Sequence, residues 1–517
     1  MRLKHARNLT LALSFVLLLS LLPAEPALAS NSQVVGDFLV EEKDGVIVIL
    51  EYQGTDDVVT VPAELLSLPV KVIGSGSFQD SSVVSVTLPE GLETIEDWAF
   101  AGCSELTGMD VPSSVTLIDW YAFLECSKLA TVTLREGLVT IGMSAFEDSG
   151  LTTVSIPNSV TDMERTVFQY CGELVSATLP TGLTQIPTST FEDCVKLASI
   201  EIPVSVTAID AGAFRGCTAL EEVSILGSMS RIDQYAFQGC TALEEVSILG
   251  SISGTIYKHA FEGCSSLTSF NAGGGSVSLD ENAFKNCAQL QSVDVPGGIV
   301  GVGKQAFYGC NLLESVHLST GLTGIGMEAF FRCYALEEVI VPEGTLTIGG
   351  SAFAYCSGLE SVELPGSMTT LGNSAFYGCS LLTSVEIREG LEGIAGSAFD
   401  GCSSLETIEL PRSLSDLGNG VFVDCDSLVS ILFKGDAPSV SMLGAPPETI
   451  VYFYDGASGF TEPTWKGYQT QRLAAPGDGA GDPPGDDQPE GDSLLGIIGL
   501  VAVLALAGAA YMFMRRG

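Results

Sequence analysis

The stretch FQGCTALEEVSILGSISGTIYKHAF, residues 237–261, contains the pattern that decides the fold. It begins and ends on a phenylalanine, and the chain carries this aromatic sixteen times: Phe78, Phe100, Phe123, Phe146, Phe168, Phe191, Phe214, Phe237, Phe261, Phe284, Phe307, Phe330, Phe353, Phe376, Phe399 and Phe422. Twelve of the fifteen intervals are 23 residues long, and the others are 22 or 24. Such a period is typical of a solenoid, whose units bury their apolar faces against copies of themselves.

Each repeat contains one segment with the alternation of a strand. In Val246-Ser247-Ile248 the two aliphatic residues point inward and the serine points to solvent. Many copies place a proline directly after this segment, as at Pro365, where the missing N–H ends strand pairing. A second apolar pair, such as Leu138 and Ile141, then leads through small residues to a tight corner before Phe146. The pattern therefore predicts one short parallel strand per repeat, with about 4.8 Å between strands.

The repeat resembles the leucine-rich repeats of the BspA-like type, whose units read L-x-x-V-x-I-P and then I-G-x-x-A-F-x-x-C. The resemblance extends from about residue 34 to about residue 470, and residues 452–467 look like the closing element that follows such arrays. It implies a leucine-rich-repeat solenoid of about sixteen repeats of about 23 residues. It also implies a secreted or surface-displayed binding protein.

The N-terminal region has the features of an export signal. Arg2, Lys4 and Arg7 precede an apolar run, and Ala27-Leu28-Ala29 is a small-residue cleavage site, so residues 1–29 are predicted to be a signal peptide. Residues 30–77 are expected to form a β cap and the entry to the repeats. Within them, alternation from Val34 to Tyr52 is interrupted at residues 43–45, which predicts a β-hairpin.

The C-terminal region is predicted to attach the array to a membrane. After the repeat array of residues 78–433 and a closing segment, 434–474, residues 475–493 are rich in Gly, Pro and Asp and predict an extended stalk. Residues 494–514 carry no charge and are long enough for one transmembrane helix. Arg515 and Arg516 follow at once, which favours a cytoplasmic tail at 515–517 and an array outside the cell.

The fourteen cysteines form a regular set, since each lies three residues after a repeat aromatic. Ser81 and Ser149 take this position in the two copies without a cysteine. Stacked cysteines at strand spacing favour buried free thiols, although bridges between neighbouring copies stay an alternative. A metal site is not expected, because no C-x-x-C pair occurs.

The net charge of −41, from 63 acidic and 22 basic residues, excludes nucleic acid as a partner. Catalysis is also not expected. Beyond the predicted signal peptide only His259 and His317 remain, far apart along the repeats, whereas a nucleophilic site needs an oriented base. No cofactor is predicted.

The outward residue of each strand segment predicts a stripe along the array, and this stripe is the candidate binding surface. Its candidate members in the later copies are Asp294, His317, Ile340, Glu363, Glu386 and Glu409. The last three are acidic in consecutive repeats, so we expect carboxylates about 5 Å apart. The alternatives are a solvated acidic face, a cation site, or a site for a basic partner.

These observations predict a prokaryotic cell-surface protein that mediates protein binding or host or cell adhesion through an extended concave face. The expected partners are extracellular or host proteins, including basic ones. The alternatives are a cell-envelope scaffold and, least favoured, a membrane-anchored hydrolase.

Overall fold

The computed structural model describes residues 32–475, which form a parallel β-solenoid. In chain order the strands are β1 (Ser32–Val35), β2 (Phe38–Lys43), β3 (Val46–Tyr52), β4 (Val58–Thr60), β5 (Glu64–Leu65), β6 (Leu68–Ile73), β7 (Ser85–Thr87), β8 (Thr94–Ile95), β9 (Gly108–Asp110), β10 (Leu117–Ile118), β11 (Thr131–Thr133), β12 (Thr140–Ile141), β13 (Thr153–Ser155), β14 (Asp162–Met163), β15 (Ser176–Thr178), β16 (Gln185–Ile186), β17 (Ser199–Ile202), β18 (Ala208–Ile209), β19 (Glu222–Ile225), β20 (Met229–Ile232), β21 (Glu245–Ile248), β22 (Ile252–Ile256), β23 (Ser269–Asn271), β24 (Val277–Leu279), β25 (Ser292–Asp294), β26 (Ile299–Val302), β27 (Ser315–Val316), β28 (Gly324–Ile325), β29 (Glu338–Ile340), β30 (Thr347–Ile348), β31 (Ser361–Leu364), β32 (Thr370–Leu371), β33 (Ser384–Ile387), β34 (Gly393–Ile394), β35 (Thr407–Leu410), β36 (Asp416–Leu417), β37 (Ser430–Phe433), β38 (Ile450–Tyr454), β39 (Thr464–Trp465) and β40 (Tyr468–Leu473).

Each turn of the solenoid contributes two strands, one to each of two faces. The odd-numbered strands β7 to β33, with β4, form a fifteen-stranded sheet, here called the long sheet. The even-numbered strands β8 to β36 form the return face, which is divided between the end of a nine-stranded sheet and an eleven-stranded sheet. The prediction of one strand per repeat was therefore wrong. The return strands are mostly two residues long, too short to show alternation in the sequence, yet they pair in parallel register, as in Ile118 with Ile141.

The solenoid has about nineteen turns, three more than the repeat aromatics indicate. Parallel strands β35, β37, β38 and β40 form the C-terminal sheet and follow the fifteen strands of the long sheet. Three of the nineteen, β4 at the N-terminal end and β38 and β40 at the C-terminal end, belong to turns without the repeat phenylalanine. The closing segment is thus largely two further turns, and β39 pairs antiparallel to β40 at the sheet edge.

The N-terminal hairpin is confirmed. Strands β2 and β3 pair antiparallel with Lys43 opposite Val46, and β1 adds a third antiparallel strand. Asp44 and Gly45 both adopt positive φ, the conformation of a tight two-residue hairpin turn. Strand β3 then pairs in parallel with β6, so the cap continues directly into the return face.

The core is a continuous stack of the sixteen repeat phenylalanines, all of them buried. Neighbouring rings are stacked at centroid distances of 4.9 to 6.1 Å along the whole array. The cap extends the stack, because the Tyr52 ring lies 5.2 Å from that of Phe78. Each ring therefore depends on the ring one turn away, which makes the period strict.

A buried cysteine ladder runs beside the phenylalanine stack. All fourteen cysteines are buried free thiols in the structure. Each thiol donates to the carbonyl of the repeat phenylalanine one turn back, as from Cys126 Sγ to Phe100 O at 3.1 Å and from Cys240 Sγ to Phe214 O at 3.1 Å. Burial raises the pKa of Cys103 and of Cys240 to about 12. These thiols therefore have little tendency to form the reactive thiolate.

Two columns of residues with positive φ form the predicted corner. One lies two residues after each repeat phenylalanine and is mostly Gly, Asp or Asn, as at Gly102, Gly239 and Asp193, the residue types that tolerate this conformation. The other lies two residues before it and includes bulky residues such as Tyr121 and His259. The corner is confirmed, but glycine occupies only three positions of the second column, Gly76, Gly212 and Gly420, so the sequence signals this column weakly.

The signal peptide, stalk, transmembrane helix and tail predicted at 1–29, 475–493, 494–514 and 515–517 fall, apart from residue 475, outside the described residues. Between residues 32 and 475, no helix is both long and apolar enough to cross a membrane.

Candidate binding surface

The predicted stripe is a real row of side chains on the solvent side of the long sheet. Ile340 lies opposite Glu363, and Glu363 lies opposite Glu386, in the parallel register of β29, β31 and β33. Asp294 ends β25, and His317 directly follows β27, whose Ser315 is in register with Glu338 of the next turn. The row is therefore continuous from Asp294 to Glu386.

Glu409 lies on β35, the first strand of the C-terminal sheet, and its register partner is Leu432. The long sheet ends at β33, so no backbone pairing aligns Glu409 with Glu386. The acidic run is consequently a pair in register plus one carboxylate on the next sheet.

Two of the three carboxylates in this run are neutralised by cations. The Arg388 guanidinium contacts the Glu363 carboxylate and also lies 3.0 Å from Glu343, and the Lys434 ammonium lies 2.8 Å from Glu409. Glu386 forms no ion pair with any residue between 32 and 475. The expected block of three free negative charges is thus reduced to one.

These ion pairs follow a rule that is visible in the sequence. Arg388 and Lys434 occupy the position where most copies carry the strand-ending proline, and each pairs with an acidic stripe residue 25 positions earlier. Arg135 does the same with Asp110, at 2.8 Å. A cation at the proline position therefore marks a paired carboxylate one turn back, a signal that the sequence analysis did not use.

The free negative charge lies around Ile340 instead. Glu338, on the same strand and the same side of the sheet, is exposed, and so is Glu386 two turns on. Glu314, Glu337 and Glu360, which precede strands of the same region, are exposed as well. Within the described chain, none of these five carboxylates has a cationic partner.

Ile340 is the apolar centre of this region. Its side chain is 66% exposed, although it belongs to strand β29, whose last residue it is, and it lies between His317 and Glu363 in the row. Protein-binding patches commonly have an apolar centre and a polar rim, and Ile340 with its charged neighbours has this composition on a small scale. The arrangement suits a partner that presents an apolar group flanked by basic ones.

The side chains that could ligate a metal ion are dispersed over the described part of the chain, and so are the two histidines. No group of three or more His, Cys, Asp or Glu side chains that could hold a metal ion occurs in the described part of the chain. His259 Nδ1 lies 2.7 Å from Glu262, and its other nitrogen is 3.5 Å from the Asn282 amide, so neither of these two partners is a serine, threonine or cysteine that the imidazole could activate. His317 lies on the stripe, two repeats or more along the array from His259.

The fold and its surface define a leucine-rich-repeat solenoid. The sequence profile of the BspA type leucine rich repeat region matches residues 63–175, 161–272, 250–360 and 323–442, so the chain belongs to this family. Members are bacterial cell-surface proteins, and leucine-rich-repeat proteins generally bind other proteins or ligands and lack enzymatic activity. No curated protein has a sequence similar enough to match the chain.

Solved structures of bacterial leucine-rich-repeat proteins resemble the chain at low identity. A leucine-rich repeat protein from Bacteroides ovatus is 22% identical over 85% of this chain and 99% of its own, with a TM-score of 0.41. A leucine rich cell surface protein from Faecalibacterium prausnitzii is 23% identical over 71% of this chain and 96% of its own, with a TM-score of 0.38. The leucine-rich repeat protein of T. pallidum is 24% identical over 46% of this chain and 91% of its own, with a TM-score of 0.32.

Proposed function

We propose that this chain is displayed on the outside of a bacterial cell and binds an extracellular or host protein through the stripe, in the region centred on Ile340. The observation that carries this proposal is the 66% exposure of Ile340 on the same strand as Glu338, whose carboxylate has no cationic partner in the described chain, whereas Glu363 beside it contacts Arg388. Exposed apolar surface costs free energy unless a partner covers it, and unpaired charge around it selects a basic partner. Adhesion to a host or to other cells is the use that fits best.

A photo-crosslinking residue at position 340 tests the site directly. The full chain is expressed on cells with the crosslinker in place of Ile340, or in place of Leu249 as the matched control. Leu249 is 77% exposed but directly follows strand β21 rather than lying on the stripe. We expect one defined protein adduct at 340 and none at 249, and we expect Ile340→Ser to reduce adhesion of the cells. Equal labelling at both positions, or unchanged adhesion, would favour a cell-envelope scaffold.

The anchor is a separate part of the proposal. Residues 494–514 are uncharged and long enough to span a bilayer, and Arg515 and Arg516 follow them. Deleting residues 493–517 should release the array into the medium, whereas changing Arg515 and Arg516 to Ser should leave it attached. Retention of the deleted form in the membrane fraction would contradict the anchor.

A further inference from the structure

The return face is interrupted once along its length. The residue after each return strand donates its N–H to a carbonyl one turn back, as from Gly142 to Ile118 at 2.8 Å and from Glu164 to Ile141 at 3.0 Å. At the next turn this residue is Pro187, which has no N–H. The nine-stranded sheet ends at β14, and the eleven-stranded sheet starts at β16. The carbonyl of Met163 therefore lacks the donor that its equivalents have.

A groove of about 460 Å³ lies at this interruption, and Pro187 and Met163 line it. Trp120, Met143 and Arg165 form one wall, because they occupy the same repeat position in three consecutive turns. Parallel turns repeat at about 5 Å, so the wall presents an indole, a thioether and a guanidinium in a row about 10 Å long.

Trp120 is the apolar platform of the groove. Its side chain is 49% exposed and stacks on no other aromatic ring within the described residues. Trp98, one turn earlier, is 36% exposed, but its ring stacks on Tyr121 at 4.6 Å. The third tryptophan, Trp465, is buried. An unstacked tryptophan face beside a groove is a surface that a flat ligand can cover.

The rim of the groove supplies both donors and acceptors. Arg165 donates a hydrogen bond from Nε to Met143 Sδ at 3.1 Å. It forms no ion pair in the described chain, whereas twelve of the seventeen Lys and Arg residues between positions 32 and 475 do. Glu164 uses one carboxylate oxygen to accept from the Met143 N–H, and Asp210 uses one to accept from Arg231. The remaining guanidinium hydrogens and carboxylate oxygens are available to a ligand.

We infer that this groove binds a neutral sugar in its pyranose form. A pyranose has a flat C–H face that suits the Trp120 indole, and an edge of vicinal hydroxyls that suits the paired acceptors and donors of Glu164, Asp210 and Arg165. A proline-rich peptide also favours aromatic grooves, but such a ligand brings almost no donors for two carboxylates. The site lies on the return face and does not depend on the stripe or on the proposed function.

The test is isothermal titration of the purified full-length chain with cellobiose, maltose and the disaccharide of N-acetylglucosamine, with a ten-residue oligoproline peptide as the fourth probe. We expect saturable binding of at least one sugar and an affinity loss of about tenfold or more in Trp120→Ala. Trp120→Phe should recover part of the affinity. Trp98→Ala should leave it unchanged, since that ring stacks on Tyr121.

Pro187→Gly provides a second, independent arm. Glycine restores the missing N–H and is the residue at this position in other turns, such as Gly142. We expect this variant to be folded, to be at least as stable to heat as the natural chain, and to bind the sugar weakly because the groove closes. Absence of saturable binding of all three sugars up to about 10 mM, or binding that Trp120→Ala leaves intact, would overturn the inference. Binding of oligoproline alone, lost in Trp120→Ala, would overturn it in favour of a peptide site.

Discussion

The two halves of the stripe carry different chemistry over the same interior. In the N-terminal half the outward residues are mostly hydroxylic, Thr87, Thr133, Ser155 and Thr178, and the acidic Asp110 is paired with Arg135. In the C-terminal half they are Asp294, His317, Ile340, Glu363 and Glu386, and several nearby carboxylates are unpaired. The rings beneath are alike, at 5.2 Å between Phe123 and Phe146 and 5.5 Å between Phe376 and Phe399. The two halves therefore differ in the side chains of the stripe, whereas the stacked phenylalanines beneath them are alike.

The largest expected effect is the loss of stability on substitution of a buried repeat phenylalanine, and this loss should be equal in the two halves. Phe123→Ala and Phe376→Ala each remove a fully buried ring between two stacked neighbours, which costs about 3–5 kcal/mol. Urea titration followed by circular dichroism measures the loss, with hydrogen exchange to locate it, because repeat arrays need not unfold in one step. A difference between the two variants of more than about 2 kcal/mol would show that the halves do not share one interior.

A second interior property should also be common to both halves, namely protection of the cysteines. Burial raises the thiol pKa from 9.0 to about 12 at Cys103 in one half and well above 9.0 at Cys379 in the other. The folded state thus retains protons that the unfolded state loses, so its stability is fully present below pH 9 and falls as pH rises towards the folded pKa. Urea midpoints measured from about pH 8 to about pH 11 should decrease.

Cys240→Ser is the control for this pH dependence, since serine already takes the cysteine position at Ser81 and Ser149. The variant should lose stability less steeply with rising pH, because one fewer thiol titrates. Mass spectrometry after alkylation should show labelling of all fourteen thiols only in denaturant. Bridges between neighbours such as Cys217 and Cys240 in unreduced protein would contradict the ladder of free thiols.

The buried repeat residues of the interior could be predicted well from the sequence, whereas the return strands and the charge of the stripe could not. Phenylalanine and cysteine recur because each must fit against its copy one turn away, so their positions are readable from spacing alone. The return strands escaped prediction because two residues, such as Thr140 and Ile141, show no alternation. The positive φ of Tyr121 is equally hidden, since tyrosine gives no turn signal.

On the stripe, the repeat alone places a residue in the row but does not show what neutralises it. Glu363 and Glu386 look identical in the repeat, yet Arg388 contacts Glu363 and leaves Glu386 unpaired. Which carboxylate is neutralised depends on the direction that the long Arg388 side chain takes after the strand ends, and that direction depends on the residues packed around it. The row was predictable from the repeat alone, whereas its charge became readable only once the structure showed that a cation at the proline position, such as Arg388, pairs with the carboxylate one turn back.

A third experiment should show that unpaired carboxylates of the C-terminal half attract a basic peptide more strongly than paired carboxylates of the N-terminal half. Glu338→Gln with Glu386→Gln removes two unpaired carboxylates near Ile340, while Glu105→Gln with Glu173→Gln removes two that pair with Lys128 and Lys196 in the N-terminal half. Both double variants change the net charge equally. Association with a ten-residue oligolysine peptide at low salt should slow several-fold in the first and much less in the second, because free carboxylates create the attracting field. Equal slowing would mean that total charge decides.

The smallest expected effect concerns the cations that end the strands. Arg388→Ala frees Glu363 beside the unpaired Glu386, whereas Arg135→Ala frees Asp110, whose neighbours in the row are Thr87 and Thr133. Exposed ion pairs contribute little, so both variants should keep their stability within about 1 kcal/mol. Oligolysine association at low salt should rise about twofold in Arg388→Ala and less in Arg135→Ala, because only the first creates two adjacent free carboxylates. Stopped-flow measurement over a range of salt concentrations distinguishes these rates, and the difference should vanish at high salt. If both variants accelerate association equally, removal of one positive charge is the whole effect and the C-terminal half has no special field.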